Sequence, residues 1–238
     1  MLTVITWLWR SRGSREYRAE HVNALARQFK MALSVPHKFV CITEERRADF
    51  SDDVTVYPTP KAAKALAGLQ TLEGNRFPSC FRRLWAFSPD AAILGDRFLI
   101  VDIDLVLTAN IDHLVDYDDP FVGWRPLARW GDKPRIGGGL YLMSPGAHPE
   151  VWEDFDGRNA IMQARAAGYR GSDQAWMSYK LAESVPTFDD DAGIYSIRDL
   201  ADGAKPLPSD ACLVQFNGIK KPWHSTIPWV RKYWNPQA

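Results

Sequence analysis

The apolar run Phe98-Leu99-Ile100-Val101 stops abruptly at Asp102-Ile103-Asp104, and this junction constrains the fold more than any other stretch of the chain. A short apolar run reads as a buried strand. Charges at its exit must then lie where that strand leaves the core. Strand side chains alternate faces, so positions 102 and 104 are expected to point the same way and share one ligand. Carboxylates beside an apolar core are costly without a cationic partner. A divalent metal carrying a phosphate ester is the expected partner, because hard oxygen ligands suit Mn²⁺ or Mg²⁺. In open α/β sheets, ligands gather at the carboxyl ends of the strands, where this pair lies.

The spacing alone does not single the pair out. Asp-x-Asp also occurs at Asp116/Asp118, Asp154/Asp156 and Asp189/Asp191, all in polar or acidic stretches. Those carboxylates read as solvated surface groups. Only the first pair follows a strand-like apolar run.

The rest of the chain supports an α/β reading. Leu2–Trp9 is rich in β-branched and aromatic residues and predicts a first strand. Tyr17–Ala32 has helical spacing through Val22, Leu25, Ala26 and Phe29. Lys38–Thr43 and Val54–Tyr57 predict further strands. Ser79 is placed to cap a helix running through Leu84, Trp85 and Phe87 to the Ser88-Pro89 break. Arg97–Val101 is the strand before the acidic pair, and Asn110 is placed to cap a short helix at Ile111–Val115. Phe121–Trp124, Gly139–Ser144 and Cys212–Phe216 predict later strands, with helices at Pro149–Ala167 and Asp173–Glu183. From Lys220 the sequence is Pro- and Trp-rich without a clear period. Strands alternating with helices imply a largely parallel sheet with helices packed on it.

Composition excludes several classes. The chain has 238 residues, 46% of them hydrophobic, and can bury a sizeable core. Its formal net charge is zero, which argues against broad adhesion to nucleic acid or anionic membrane. A basic stretch at Arg10, Arg12, Arg15 and Arg18 reads as a solvated helix entrance. The three cysteines, Cys41, Cys80 and Cys212, form no CxxC pair and read as reduced, packed thiols. No stretch has the roughly 18–20 apolar residues of a membrane span. The amino terminus lacks a secretory pattern, so the cytoplasm is the default location. Of the ten tryptophans, Trp85, Trp152 and Trp176 read as core. Trp124, Trp130, Trp223, Trp229 and Trp234 lie in polar or Pro-rich sequence and are candidate sugar-stacking surfaces.

Three more segments carry residues suited to a phosphorylated ligand. Phe81-Arg82-Arg83-Leu84-Trp85 enters the acidic strand, and a guanidinium there suits a pyrophosphate. Gly171-Ser172-Asp173-Gln174 is a turn opening a helix, where an acid and an amide can hydrogen-bond sugar hydroxyls or serve as a routine cap. Gln215-Phe216-Asn217-Gly218-Ile219-Lys220-Lys221-Pro222-Trp223 ends a strand with a Gly for close approach and a Lys to neutralise a departing phosphate.

Taken in order, these segments resemble glycosyltransferase family 8, the glycogenin and lipopolysaccharide galactosyltransferase family of the GT-A fold. The stretch FRRLWAFSPDAAILGDRFLIVDIDLVLTANIDHL, residues 81–114, is similar to the family's helix, acidic strand and continuation to a short helix. Gly138-Gly139-Leu140-Tyr141-Leu142-Met143 resembles its next central strand, Asp173-Gln174 its Asp-Gln helix start, and Lys221-Pro222-Trp223 its carboxy-terminal Lys-Pro-Trp. The resemblance spans most of residues 1–223.

It implies one GT-A-type, Rossmann-like α/β domain over residues 1–238, with a mostly parallel central mixed sheet flanked by helices and a tail at 224–238. It also implies transfer of a hexose, with retention, from a nucleotide-diphosphate sugar, most simply a UDP-sugar. Asp102 and Asp104 would hold the metal and the ribose–diphosphate, with Ile103 between them on the nucleotide. Asp173 and Gln174 would lie by the donor sugar, and Lys221 on the diphosphate. Arg82 or Arg83 would face the donor beside Gly138 and Gly218. Thr6, Trp7, Leu8 and Tyr17 would hold the base.

The chain departs from the family pattern twice. Gln215 stands where relatives carry a metal-binding His, offering an amide oxygen as third ligand. Gly137 stands where relatives often carry Asn. A nucleotide-sugar-binding or carbohydrate-binding protein without turnover is the competing reading. A nucleotidyltransferase ranks lower, because Trp9–Ser14 contains one Gly where a phosphate loop needs several. The acceptor, whether carbohydrate, lipid-linked or protein, is expected to meet the variable loops at Trp124–Gly137 and after Trp223.

Overall fold

The computed structural model describes residues 1–9, 17–74, 80–126 and 133–234. Its centre is a six-stranded sheet in the order β3-β2-β1-β4-β7-β6. The strands are β1 (Leu2–Leu8), β2 (His37–Thr43), β3 (Val54–Pro58), β4 (Arg97–Val101), β6 (Phe121–Gly123) and β7 (Leu140–Met143). Strands β3, β2, β1 and β4 run parallel, while β7 is antiparallel to both β4 and β6. This is the mostly parallel mixed sheet the sequence predicts.

Alternation along the strands divides the core between two faces. Ile5 and Trp7 of β1 and Phe98 and Ile100 of β4 pack on one side with Leu84, Trp85 and Trp176. Val4, Leu8, Leu99 and Val101 pack on the other with Val22, Leu25 and Phe29 of α1 (Ala19–Ala32). Helix α1 begins where His21 Nδ1 accepts from the Arg18 amide, 3.1 Å. It ends as the Leu33 amide bonds to Phe29 O, 2.9 Å.

A second sheet, β5-β9-β8, consists of β5 (Leu105–Leu107), β8 (Ile194–Ser196) and β9 (Leu213–Gln215). Strands β5 and β8, three residues each, are not among the predicted strands. The chain passes from β4 to β5 through Asp102-Ile103-Asp104, with Ile103 buried.

Several predicted helices are reshaped. The helix expected at Pro149–Ala167 is broken into α3 (Glu150–Glu153) and α4 (Arg158–Ala166). Gly157 takes φ 78°, and Asp156 caps α4 through the Ala160 amide, 2.8 Å. Residues 81–87 form a 3-10 helix, as do Asp112–Leu114, where Asn110 accepts from the Asp112 amide at 2.9 Å. Ser79, the expected cap, lies outside the described residues. The aperiodic tail contains α6 (Pro228–Trp234), which packs Val230 and Trp234 against the second sheet. Gln28 of α1 ties these parts together, donating to Trp234 O and accepting from the Leu107 amide. The remaining α-helices among the described residues are α2 (Lys61–Ala65) and α5 (Asp173–Leu181). No helix among the described residues is long and apolar enough to cross a membrane.

Candidate functional site

The sheet order reverses between β1 and β4. From β1 the chain winds outward through β2 and β3, then returns to lay β4 on the other side of β1. The β1–β2 ladder runs to Leu8↔Thr43, whereas the β1–β4 ladder stops at Ile5↔Ile100. A crevice therefore opens at the carboxyl ends of these strands, the usual ligand position in such sheets.

Asp102 and Asp104 lie in this crevice, but not as neighbours on one extended strand. Asp102 is the last rung of the large sheet, its amide bonding to Gly139 O at 2.9 Å. Asp104 begins the small sheet, its carbonyl accepting from the Phe216 amide at 2.8 Å. A bend at Ile103 and Asp104 joins them. The pair shares one site because it spans the joint between two sheets, which corrects the alternation argument.

The carboxylates are also already paired with cations. Arg83 is buried; its Nη1 donates to Asp102 Oδ1 and its Nε to Asp173 Oδ2, the latter at 2.7 Å. Lys221, also buried, donates to Asp104 Oδ2 and to Phe216 O, the latter at 3.4 Å. Charges expected to meet a divalent metal are thus offset in part by Arg83 and Lys221. Lys221, the residue expected on a diphosphate, here pairs with Asp104. Burial lowers the Arg83 pKa, but Asp102 and Asp173 outweigh it and hold the guanidinium well above its ordinary value. Burial pushes the Asp102 carboxyl up to about 6; Arg83 and Lys221 oppose the rise, and Asp104 and Asp173 add to it.

Three oxygens remain for a metal. Asp102 Oδ2 and Asp104 Oδ1 take no part in these bonds, and Gln215 ends β9 opposite Leu105. A Cβ on Gly139 would lie 2.4 Å from Asp102 Oδ2 and 2.7 Å from Gln215 Oε1. Both oxygens thus converge on a cradle that only glycine leaves open. Gln215 Nε2 is buried without a hydrogen-bond partner among the described residues. No group of three His, Cys, Asp or Glu gathers among those residues. The donor set is two carboxylates and an amide oxygen, which fits a hard ion such as Mg²⁺ or Mn²⁺. His224 is exposed and stands edge-on to Trp223.

Other predicted residues divide. Tyr17 joins the site through its hydroxyl, which donates to Asp104 Oδ2 at 3.0 Å. Burial and then the Asp104 charge raise its pKa. Its ring meets Trp223 edge-on, and Trp223 in turn stacks flat on His21 with centroids 3.9 Å apart. Thr6, Trp7 and Leu8 were expected in a loop holding the base. They are the buried end of β1, so their side chains are not a binding surface. Arg82 is separated from Arg83 and lies over Trp9, 4.7 Å from the ring centroid. Asp173 is tied at both oxygens, accepting from Ser172 Oγ at 2.9 Å as well as from Arg83. Gln174 follows it on α5, with its Cβ 3.1 Å from where a Gly138 Cβ would sit. A Gly218 Cβ would lie 3.4 Å from Arg198 Nη2.

The structure gives a local reason for Gly137. A Cβ there would lie 2.4 Å from Trp124 Cε3. Trp124 and Trp234 are buried in the core, which removes both from the sugar-stacking candidates; Trp130 lies outside the described residues. The other three Asp-x-Asp pairs are exposed, as expected. Arg10, Arg12 and Arg15 lie outside the described residues, and Arg18 reaches Glu20 at 3.5 Å. Sequence reasoning quoted Gly139 and Ser172 within their segments without giving either a role, and missed His21. The triplet Gly137-Gly138-Gly139 was the available signal for the first.

No family model and no curated protein sequence matches the chain. Solved structures do. The galactosyltransferase LgtC, crystallised with donor and acceptor sugar analogues, superposes with a TM-score of 0.68 at 12% identity, covering 94% of this chain and 90% of that one. The glycosyltransferase GlyE of Streptococcus pneumoniae TIGR4 gives 0.61 at 13% identity, covering 100% of this chain and 62% of that one. The chain has the fold of these proteins, the GT-A fold expected from its sequence.

Proposed function

We propose that this protein is a metal-dependent glycosyltransferase that moves a hexose from a nucleotide-diphosphate sugar, a UDP-sugar, to an acceptor hydroxyl with retention at the anomeric carbon. The observation that carries the reading is the convergence of Asp102 Oδ2 and Gln215 Oε1 over Gly139. It occurs at a switch-point crevice, in a fold shared with LgtC and GlyE.

Asp102, Asp104 and Gln215 would hold Mn²⁺ or Mg²⁺, which neutralises charge on the diphosphate as it leaves. The remaining steps belong to the chain. Lys221 supplies a second positive charge at the same edge, where a preorganised contact of this kind is worth about 3 kcal/mol to a leaving group. Arg83 holds Asp102 and Asp173 in one frame, so the metal carboxylate and the acid at the α5 amino end keep a fixed relation. Gln174, next to that acid and half-exposed, faces the sugar. The bond from the anomeric carbon to the diphosphate oxygen breaks, a bond to the acceptor oxygen forms, and the acceptor proton leaves with the phosphate or to solvent.

The test is turnover of a panel of nucleotide sugars with and without Mn²⁺. Metal-dependent release of the nucleoside diphosphate, together with a crystal soak placing Mn²⁺ between Asp102 and Asp104, supports the reading. Donor binding without turnover across donors and acceptors leaves a nucleotide-sugar-binding protein instead.

A further inference from the structure

The two cations of the crevice are held in different ways. Arg83 bonds through Nη1 to Asp102 and through Nε to Asp173, so a planar fork fixes it between two carboxylates. Lys221 reaches one carboxylate, that of Asp104. Its other hydrogen bond among the described residues is to Phe216 O at 3.4 Å. An ammonium on a flexible four-carbon stem leaves such a setting more readily than a forked guanidinium.

The backbone around Lys221 permits that movement. Phe216 is fixed by the bond from its amide to Asp104 O, 2.8 Å, and Trp223 by its stack on His21. Between these anchors Ile219 and Lys220 are exposed. The Lys221 side chain can therefore turn without unseating either end of the segment.

Lys221 also stands on the oxygen of Asp104 that the proposed ion leaves alone. Tyr17 and Lys221 both donate to Oδ2, so an ion on Oδ1 meets an ammonium already on the same carboxylate. Both side chains of this pair are buried, and like charges repel most strongly where water is scarce. Charge balance points the same way. In this bonded set two cations, Arg83 and Lys221, face three carboxylates, Asp102, Asp104 and Asp173. A divalent ion turns that deficit of one positive charge into an excess of one, which the negative charge of a diphosphate absorbs.

We propose that Lys221 is an internal counter-ion for Asp104 that makes the metal and the diphosphate bind as a pair. Lys221 neutralises Asp104, weakens the hold on a bare ion, and turns toward the diphosphate when both ligands enter. The proposal rests on the glycosyltransferase reading above. Such coupling is reciprocal, so ion and nucleotide strengthen each other by the same factor.

The experiment titrates Mn²⁺ into the intact protein by electron paramagnetic resonance, with and without UDP. Calorimetry follows UDP with and without Mn²⁺, corrected for the complex the two form in solution. In the unmodified protein each ligand is expected to tighten the other at least about tenfold. Lys221→Met is expected to bind bare Mn²⁺ at least about tenfold more tightly than the unmodified protein and to lose most of the coupling. A merely structural contact predicts the opposite, since a loosened crevice holds the ion less well. Lys221→Gln, which keeps a donor for Asp104, gives the same reading on charge if the methionine variant does not fold. Tyr17→Phe removes a neutral donor from the same oxygen and is expected to change bare-ion affinity less than either. Bare Mn²⁺ held no more tightly by the Lys221 variants, or as tightly by the unmodified protein without UDP as with it, overturns the proposal. If UDP binds with Mn²⁺ and the variants gain nothing, the counter-ion role fails alone. If UDP does not bind at all, the glycosyltransferase reading falls and takes the coupling with it.

Discussion

Lys221 holds the carboxylate of Asp104 across 117 positions of sequence, and both side chains are buried. The contact ties the loop after β9 to the start of β5. Breaking a buried pair from one side leaves an uncompensated charge and typically costs about 3–5 kcal/mol. Lys221→Met and Asp104→Asn are each expected to lower the denaturation midpoint, with the double variant losing clearly less than their sum. Additive losses would show that the pair does not act as a unit. Asp104→Asn should in addition abolish metal-dependent turnover, and this is read on the folded fraction.

Gly139→Ala tests the cradle directly. The residue has no positive φ, so alanine is compatible with the backbone and stiffens the unfolded chain. Its Cβ nevertheless falls within 2.4 Å of Asp102 Oδ2 and 2.7 Å of Gln215 Oε1. Mn²⁺ binding, followed by electron paramagnetic resonance on the folded fraction, should weaken by at least about tenfold, while the displaced side chains cost about 1–3 kcal/mol of stability. Unchanged binding would move the metal away from this cradle.

Arg83→Lys tests whether charge or geometry matters. Arg83 reaches Asp102 and Asp173 with two different nitrogens, and a single ammonium has no equivalent planar fork. Turnover is expected to fall about a hundredfold even though the charge is retained. Near-normal activity in the lysine variant would reduce Arg83 to a counter-ion.

The strand preceding the acidic pair was legible because Phe98–Val101 is a continuous apolar run, and the parallel order followed from alternating strands and helices. The joint at Ile103 was not. A bend between two sheets depends on β9 arriving from more than a hundred residues away to receive Asp104, and no local pattern encodes that. Arg83 and Arg82 are adjacent and chemically identical in sequence; only packing sends one into the crevice and the other over Trp9. Gly157 and Asp156 did carry a readable break in the predicted helix at 149–167. The tail was opaque because α6 is held by Gln28 and the core beneath it rather than by its own period.

Cys41 is fully buried in β2, and burial raises its thiol pKa. A thiol that ionises more readily when unfolded contributes stability fully present below the unfolded value, near 9. That contribution is lost as pH rises toward the folded one. Unfolding stability is therefore expected to decline above pH 9 by about 1.4 kcal/mol per pH unit from this group. Cys41→Ala should flatten the slope between pH 9 and 10.5, measured by chemical denaturation. An unchanged slope would place the alkaline sensitivity elsewhere.

Gln215→His asks what the amide does. The residue is buried at the end of β9, with Oε1 converging on Asp102 Oδ2 and Nε2 unpartnered. An amide oxygen keeps the donor set all-oxygen, which favours Mg²⁺ and Mn²⁺ alike. An imidazole nitrogen binds Mn²⁺ better than Mg²⁺. The histidine variant should therefore raise the ratio of Mn²⁺ to Mg²⁺ affinity, by calorimetry on the donor-free protein. Gln215→Leu, which removes the donor and keeps the bulk, should weaken both ions at least about tenfold. If leucine binds either ion as tightly as glutamine does, Gln215 is not a ligand and the ion is held by Asp102 and Asp104 alone.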